Sequence, residues 1–209
     1  MHSAPPQLAN LCAVGRDGNV GLWVPYFGIW TNLGNLGGWT LRSLSVSPTG
    51  YNTIYAVGTE GNVGTWGGTS WVPWHVPSGW TLKSLTCGPD GTLWCVGTEG
   101  NVGTSLNGSW QDRGNLGGWT LKMIAFDSLG RMYGVGTEGN VGRWVDMQWV
   151  NAGFDSWTID MITTDSTGTF WCVGTQGNVG AWDGDSWVDF HQWIGGWSMA
   201  WLTFMPILA

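Results

Sequence analysis

The residues best suited to chemistry in this chain recur as five sets, each an acid or its amide, an asparagine, and a tryptophan from the following repeat. They are Glu60, Asn62 and Trp80; Glu99, Asn101 and Trp119; Glu138, Asn140 and Trp157; Gln176, Asn178 and Trp197; and Asp17, Asn19 and Trp39. An indole face covers the C–H side of a sugar ring, while carboxylate and amide groups exchange hydrogen bonds with its hydroxyls and acetamido group. The sets are therefore candidate carbohydrate sites. A plainer reading is that Glu-Gly-Asn is a good hairpin turn copied by duplication. The turn does not demand Glu, however, and an acid or its amide holds that position in all five copies. A second candidate set is Trp30, Trp71, Trp110, Trp149 and Trp187, one in the last strand of each repeat.

Other chemistries find little support. Glycoside hydrolysis needs two carboxylates facing one another across the scissile bond. The acids that do not follow the repeat, Asp112, Asp127, Asp160, Asp165 and Asp189, are scattered, most of them at turns or strand ends. His2, His75 and His191 share no metal-ligand spacing, and no Gly-x-Ser-x-Gly or phosphate loop occurs. No catalytic residue, metal or cofactor is expected. A net charge of -7 with seven Lys and Arg removes the phosphate-neutralising contribution on which nucleic-acid binding depends. No apolar run is long enough to span a bilayer, and Met1 to Asn10 lacks the features of a signal peptide. The chain is thus expected to be soluble, and cytoplasmic or released by a non-signal route. Cys12, Cys95 and Cys172 fall in the same strand of three repeats, and Cys87 is expected to face away from Cys95, so free thiols are expected. Asn107-Gly108-Ser109 fits a glycosylation acceptor.

The elements that must position the five sets are set by internal repetition. AVGTEGNVGTW (Ala56 to Trp66) returns as CVGTEGNVGTS (Cys95 to Ser105), GVGTEGNVGRW (Gly134 to Trp144) and CVGTQGNVGAW (Cys172 to Trp182), with a diverged copy at Ala13 to Trp23. Counted from Val14, Val57, Val96, Val135 and Val173, the spacings are 43, 39, 39 and 38 residues, the range of propellers and solenoids. A second marker, GGWTLRSL from Gly37, SGWTLKSL from Ser78, GGWTLKMI from Gly117 and DSWTIDMI from Asp155, opens the later four repeats. The first repeat has no opener, whereas GGWSMAWL from Gly195 stands alone near the C-terminus. A circular array closes if that segment supplies the strand the first repeat lacks, which removes two open sheet edges.

Within a repeat, turn residues separate four short strands. Trp80 to Cys87 ends at Gly88-Pro89-Asp90-Gly91, Thr92 to Thr98 ends at Glu99-Gly100-Asn101, and Val102 to Ser105 and Ser109 to Arg113 follow. With 36 glycines and 19 tryptophans, the composition suits short strands and tight turns, with indoles filling the gaps between blades that fan from an axis. The expected architecture is all-β: a five-bladed β-propeller of four-stranded antiparallel blades, its ring closed by pairing of the C-terminal strand with the N-terminal blade. One domain is expected over 1–209, with blades at 37–77, 78–116, 117–154 and 155–194, and the last formed by 195–209 with 1–36.

The opener, turn and split closure resemble the tachylectin-type five-bladed propeller lectins, whose blades begin Gly-Gly-Trp and run through an apolar strand to a Pro-x-Gly turn and Leu-Tyr-x-Val. Gly117-Gly118-Trp119, Met123 to Phe126, Gly130 and Met132-Tyr133-Gly134-Val135 look like one such blade; Pro89-x-Gly91 with Leu93-Trp94-Cys95-Val96 looks like another. The resemblance implies a lectin with several similar sites between adjacent blades, and glycan partners of the N-acetylglucosamine type. The Asp-Asn-Trp segment of that family is reduced here to the Trp, as in Ser70-Trp71, Ser109-Trp110, Gln148-Trp149 and Ser186-Trp187. The alternative is a protein-interaction propeller scaffold that binds no sugar.

Overall fold

The computed structural model describes residues 11–24, 29–48, 53–106, 108–154, 156–190 and 197–204. Met1 to Asn10, the Asn107 acceptor, His2 and His191, Asp155, and Gly195-Gly196 of the last opener lie outside them. Five four-stranded antiparallel sheets form a ring. Blade one contains β1 (Leu11–Gly15), β2 (Val20–Val24) and β3 (Ile29–Gly34). Blade two contains β4 (Leu41–Val46), β5 (Ile54–Gly58), β6 (Val63–Trp66) and β7 (Trp71–Trp74). Blade three contains β8 (Leu82–Cys87), β9 (Leu93–Gly97), β10 (Val102–Leu106) and β11 (Ser109–Gly114). Blade four contains β12 (Leu121–Phe126), β13 (Met132–Gly136), β14 (Val141–Val145) and β15 (Gln148–Asn151). Blade five contains β16 (Ile159–Thr164), β17 (Phe170–Gly174), β18 (Val179–Trp182) and β19 (Trp187–Asp189).

The final strand, β20 (Met199–Phe204), returns to blade one and pairs antiparallel with β1 from Leu11↔Phe204 to Gly15↔Met199. This is the closure expected from the split repeat. The ring is a five-bladed β-propeller, and its five inner strands β20, β4, β8, β12 and β16 pack in succession around the axis. No described helix is long and apolar enough to cross a membrane.

Why the blades hold together follows from the repeat. Val14, Val57, Val96, Val135 and Val173, one per blade on the second strand, are all fully buried. Each contributes about 1.5–3 kcal/mol through the surface it hides from water. The inner strands have no partner strand toward the axis, which would leave their backbone groups as an open edge. Side chains from neighbouring blades occupy part of it. Thr86 Oγ1 donates to the Ile124 carbonyl at 2.6 Å, Trp201 Nε1 to that of Leu44 at 2.6 Å, and Thr164 Oγ1 to that of Phe126 at 3.2 Å.

At the other end of each inner strand the blades are joined through backbone. The carbonyl of the hairpin glycine in one blade accepts an N–H from the next inner strand at all five junctions: Gly18 from Leu41, Gly61 from Leu82, Gly100 from Leu121, Gly139 from Ile159 and Gly177 from Met199, at 3.0–3.5 Å. These glycines have φ between 80° and 84°. A Cβ there would also collide with the neighbouring Thr40, Thr81, Thr120, Thr158 or Ser198, so two independent constraints require glycine.

The register corrects one expectation. Leu85 pairs with Cys95 and Cys87 with Leu93, so Cys87 and Cys95 lie diagonally on the same sheet face instead of pointing apart. Cys12, Cys87, Cys95 and Cys172 are nonetheless all free and buried. Burial pushes the thiols up from 9.0, Cys87 to about 11, Cys12 and Cys95 to about 12, and Cys172 further still.

Two outcomes are expected. A chain lacking residues 197–209 loses β20 and shows no cooperative thermal transition by circular dichroism; a native-like melt of the shortened chain would contradict the closure. Second, unfolded thiols ionise from about pH 9 while folded ones keep their protons. The unfolded state is then favoured, so the stability that is complete below pH 9 falls as the pH rises toward 11. Urea midpoints measured from neutral pH to about pH 10 should decline, less so in a Cys87→Ala variant.

Candidate functional site

The candidate residues sit on a turn whose geometry is set locally. In blade three Gly97 N–H donates to the Asn101 carbonyl and Gly100 N–H to that of Gly97, both at 2.9 Å. Thr98 and Glu99 occupy the centre of the turn, with Glu99 exposed, and Gly100 supplies the positive φ. Asn101 does not share that conformation. Its amide instead folds back over Gly97, where a Cβ would collide with Oδ1; Asn62 covers Gly58, Asn140 covers Gly136 and Asn178 covers Gly174 in the same way. In blade one the Asp17 carboxylate takes this place over Gly15, and Asn19 Nδ2 donates to it at 2.5 Å.

All five opener indoles, Trp39, Trp80, Trp119, Trp157 and Trp197, are half-buried. Each lies across glycines of its own blade. A Cβ on Gly103 would be 3.2 Å from Trp80, one on Gly142 3.0 Å from Trp119, one on Gly180 3.1 Å from Trp157, and one on Gly64 3.1 Å from Trp39. A Cβ on Gly97, Gly136 or Gly174 would meet both the amide and the indole of the same blade. The asparagine therefore meets the tryptophan that opens its own blade. The expected sets took the indole from the following blade, which at the hairpin glycine presents its Thr or Ser. The cause is that the first strand begins beside its own second-to-third turn, so each indole lies between two hairpins.

Cavities show both pairings. Trp39 with Glu60 and Asn62 of the same blade lines about 260 Å³. Trp197 with Asp17, Arg16 and Asn32, also within one blade, lines about 400 Å³. Glu138, Asn140 and Trp157 line about 320 Å³ between blades four and five, and this set is brought together as grouped from sequence.

Three of the five outer tryptophans are anchored through their indole N–H, whereas those of Trp30 and Trp187 are buried without a partner among the described residues. Trp71 Nε1 donates to the Leu36 carbonyl at 2.7 Å, Trp149 Nε1 to that of Leu116 at 2.8 Å and Trp110 Nε1 to that of His75 at 2.6 Å. Trp71, Trp149 and Trp187 are buried, and Trp30 and Trp110 half-buried. In four blades an opener, an outer and a third-strand indole form a cluster with centroids 4.9–6.3 Å apart, as with Trp119, Trp149 and Trp144. These clusters belong to single blades and do not bridge two. Blade three has Ser105 where the third indole would be.

The register also reveals residues missed from sequence. Asn32, Asp112, Asn151 and Asp189 all pair with the glycine under the opener indole, opposite Gly21, Gly103, Gly142 and Gly180. Asn32 and Asn151 line two of the cavities. The signal was Trp-x-Asn/Asp in the outer strand, broken by Pro73 in blade two. Asp112 and Asp189 thus follow the repeat, as do Asp127 and Asp165, which open equivalent turns closed by Gly130 and Gly168. Their carboxylates serve backbone geometry: Asp165 Oδ1 accepts N–H groups of Thr167 and Thr169, and Asp127 Oδ1 those of Leu129 and Arg131.

No family model matches the chain, and no curated protein matches it. Solved structures do. A gluconolactonase candidate from a structural genomics consortium superposes with a TM-score of 0.62 at 14% identity, over 88% of this chain and 73% of its own. A symmetrical protein studied for de novo evolutionary emergence gives 0.57 at 18%, over 92% of each chain. Virginiamycin B lyase from Staphylococcus aureus gives 0.50 at 11%, over 89% and 71%. At these identities the likeness is one of fold, and fold does not select between catalysis and binding.

The anchored and half-exposed indoles should respond differently to substitution. Trp149→Phe leaves the Leu116 carbonyl without its donor and costs about 1–3 kcal/mol. Trp119→Phe removes no such bond and costs less; urea denaturation of both variants measures the difference.

Proposed function

We propose that the propeller binds carbohydrate through its hairpin face, as a non-enzymatic lectin with up to five similar sites. The observation that carries this reading is the repeated set of half-buried opener indoles, set beside the hairpin asparagine in four blades and beside Asp17 in blade one, on hairpins that each carry an exposed acid or amide. A half-buried indole packed on glycine leaves aromatic surface that suits the apolar face of a pyranose, and the flanking groups suit its hydroxyls. The site residues on this reading are those of the five sets, regrouped by blade and extended by Asn32 and Asn151. The resemblance to tachylectin-type lectins adds N-acetylated amino sugars as the class of ligand.

Catalysis is less well supported, although a lyase and a gluconolactonase candidate share the fold. Asp127 and Asp165 are engaged in turns, the four cysteine thiols are buried and protonated, and the hairpin acids are exposed. The scaffold reading differs in its symmetry, because a protein partner meets one unique patch whereas repeated sites act together on a multivalent glycan surface.

Titration calorimetry with N-acetylglucosamine and a glycan array provide the test. More than one site per chain is expected, with Trp157→Phe weakening binding about three- to tenfold overall at the blade four–five cavity. Absence of binding to any glycan, together with a single tight protein partner, would establish the scaffold instead.

A further inference from the structure

The chain is acidic, with only seven Lys and Arg in all, yet four of them, Arg16, Arg42, Lys83 and Lys122, gather at one end of the axis. Their placement comes from a feature of the inner strands. Each carries a β-bulge at its start: Leu41 pairs with Gly58 and Ser43 with Val57, so Arg42 is the extra residue. The same holds for Lys83, Lys122, Asp160 and Ala200. A bulge takes a residue out of the ladder and re-aims its side chain. These five side chains ring the hairpin-side mouth of the channel that the inner strands enclose, and all are half-buried.

Contacts follow that rim from blade to blade. Arg42 donates to the carbonyl of the hairpin residue Thr59 at 2.8 Å and to that of Leu82 in the next inner strand at 3.5 Å. Lys122 Nζ reaches Asp160 at 2.7 Å, Asp160 lies 3.6 Å from Arg16, and Arg16 donates to the Thr175 carbonyl. Asp160 is thus shared by Lys122 and Arg16, while Arg42 meets only backbone carbonyls. Lys83 has no carboxylate or other hydrogen-bond partner among the described residues. Ser43, one residue inside Arg42, is fully buried, and its hydroxyl has no partner there either. At the equivalent register Met123, Met161 and Trp201 line a cavity of about 150 Å³ farther along the inner strands. A mouth where cations outnumber the single carboxylate Asp160, set between low-dielectric walls, concentrates anions.

We propose that the hairpin-side mouth of the axial channel is an anion site, taking one small oxyanion of the phosphate, sulfate or carboxylate type between Lys83, Arg42 and Lys122. The unpaired lysine supplies a mobile cation. The guanidinium and the second lysine supply directed donors, and oxygen acceptors suit both. This site lies on the axis, inside the ring of opener indoles, and does not depend on sugar binding.

The test is phosphate binding at low ionic strength, followed by calorimetry and by ³¹P line broadening, with chloride at matched ionic strength as the control. One phosphate per chain is expected, bound in preference to chloride. Lys83→Gln, which breaks no contact in the folded protein, should weaken it about tenfold or more. Arg113→Gln, on the outer strand of blade three, should leave it unchanged. Trp157→Phe should also leave it unchanged, which separates this site from the glycan reading. Equal responses to phosphate and chloride, or equal losses in Lys83→Gln and Arg113→Gln, would overturn the proposal.

Discussion

The pairing of β20 with β1 is the contact on which the rest of the molecule depends. Four of the blades are made of strands consecutive in the chain, and their hairpins need only local turns. Blade one is made from both ends of the sequence, and its ladder from Leu11↔Phe204 to Gly15↔Met199 turns a row of sheets into a ring. Once the ring is closed, every inner strand has a neighbour on each side, and the five valines of the second strands are sealed from water. Loss of that ladder would uncover the inner faces of blades one, two and five together, which makes the barrier to opening collective.

The hairpin end of the disc combines two tasks that impose opposite demands. For the ring, each hairpin glycine must pass its carbonyl to the next blade in a space that admits no side chain. For binding, the residues around that glycine must present polar groups and an aromatic face outward. Duplication reconciles the two by keeping Gly-x-x-Gly-Asn backbone geometry fixed while the exposed residue varies between Glu, Gln and Asp. Differences among blades then arise at the margins. Arg16 stands where the other hairpins carry Thr, Pro73 replaces the Asn or Asp of the outer strand, and blade three lacks its third indole. The three cavities accordingly differ in size and lining, although they share one plan.

Most of the architecture was legible because the repeat fixes it twice, once by the spacing of Val14, Val57, Val96, Val135 and Val173 and once by the displaced opener near the C-terminus. The site was legible in its residue types and less so in its grouping. Sequence order suggests that Trp119 follows the hairpin of Glu99 and so belongs with it; in space, Trp119 lies beside Asn140 of its own blade. Asn32 and Asn151 escaped notice because outer strands are the least regular part of the repeat. The basic ring escaped for a different reason. Strand periodicity places Arg42 and Lys122 on the sheet face opposite their neighbours Leu41 and Leu121, and a bulge abolishes that alternation at these residues. Cys87 was misplaced because the length of the Gly88 to Gly91 turn, which sets the register, is not fixed by composition.

The split blade has a consequence for how the molecule is made. During translation the strands leave the ribosome in order, and blades two to five can each fold as soon as their own hairpins are complete. Of the twenty described strands β1 emerges first and waits longest, since its inner partner β20 follows all the others. Throughout that interval the nascent chain carries an apolar strand with an unsatisfied edge, the arrangement most prone to pair with another molecule. A ribosome that stalls before Met199 would release an arc that holds nearly all of its native sheets and still cannot bury its first strand. Propellers joined in this way stay exposed to misassembly until the strand that closes the ring has been made.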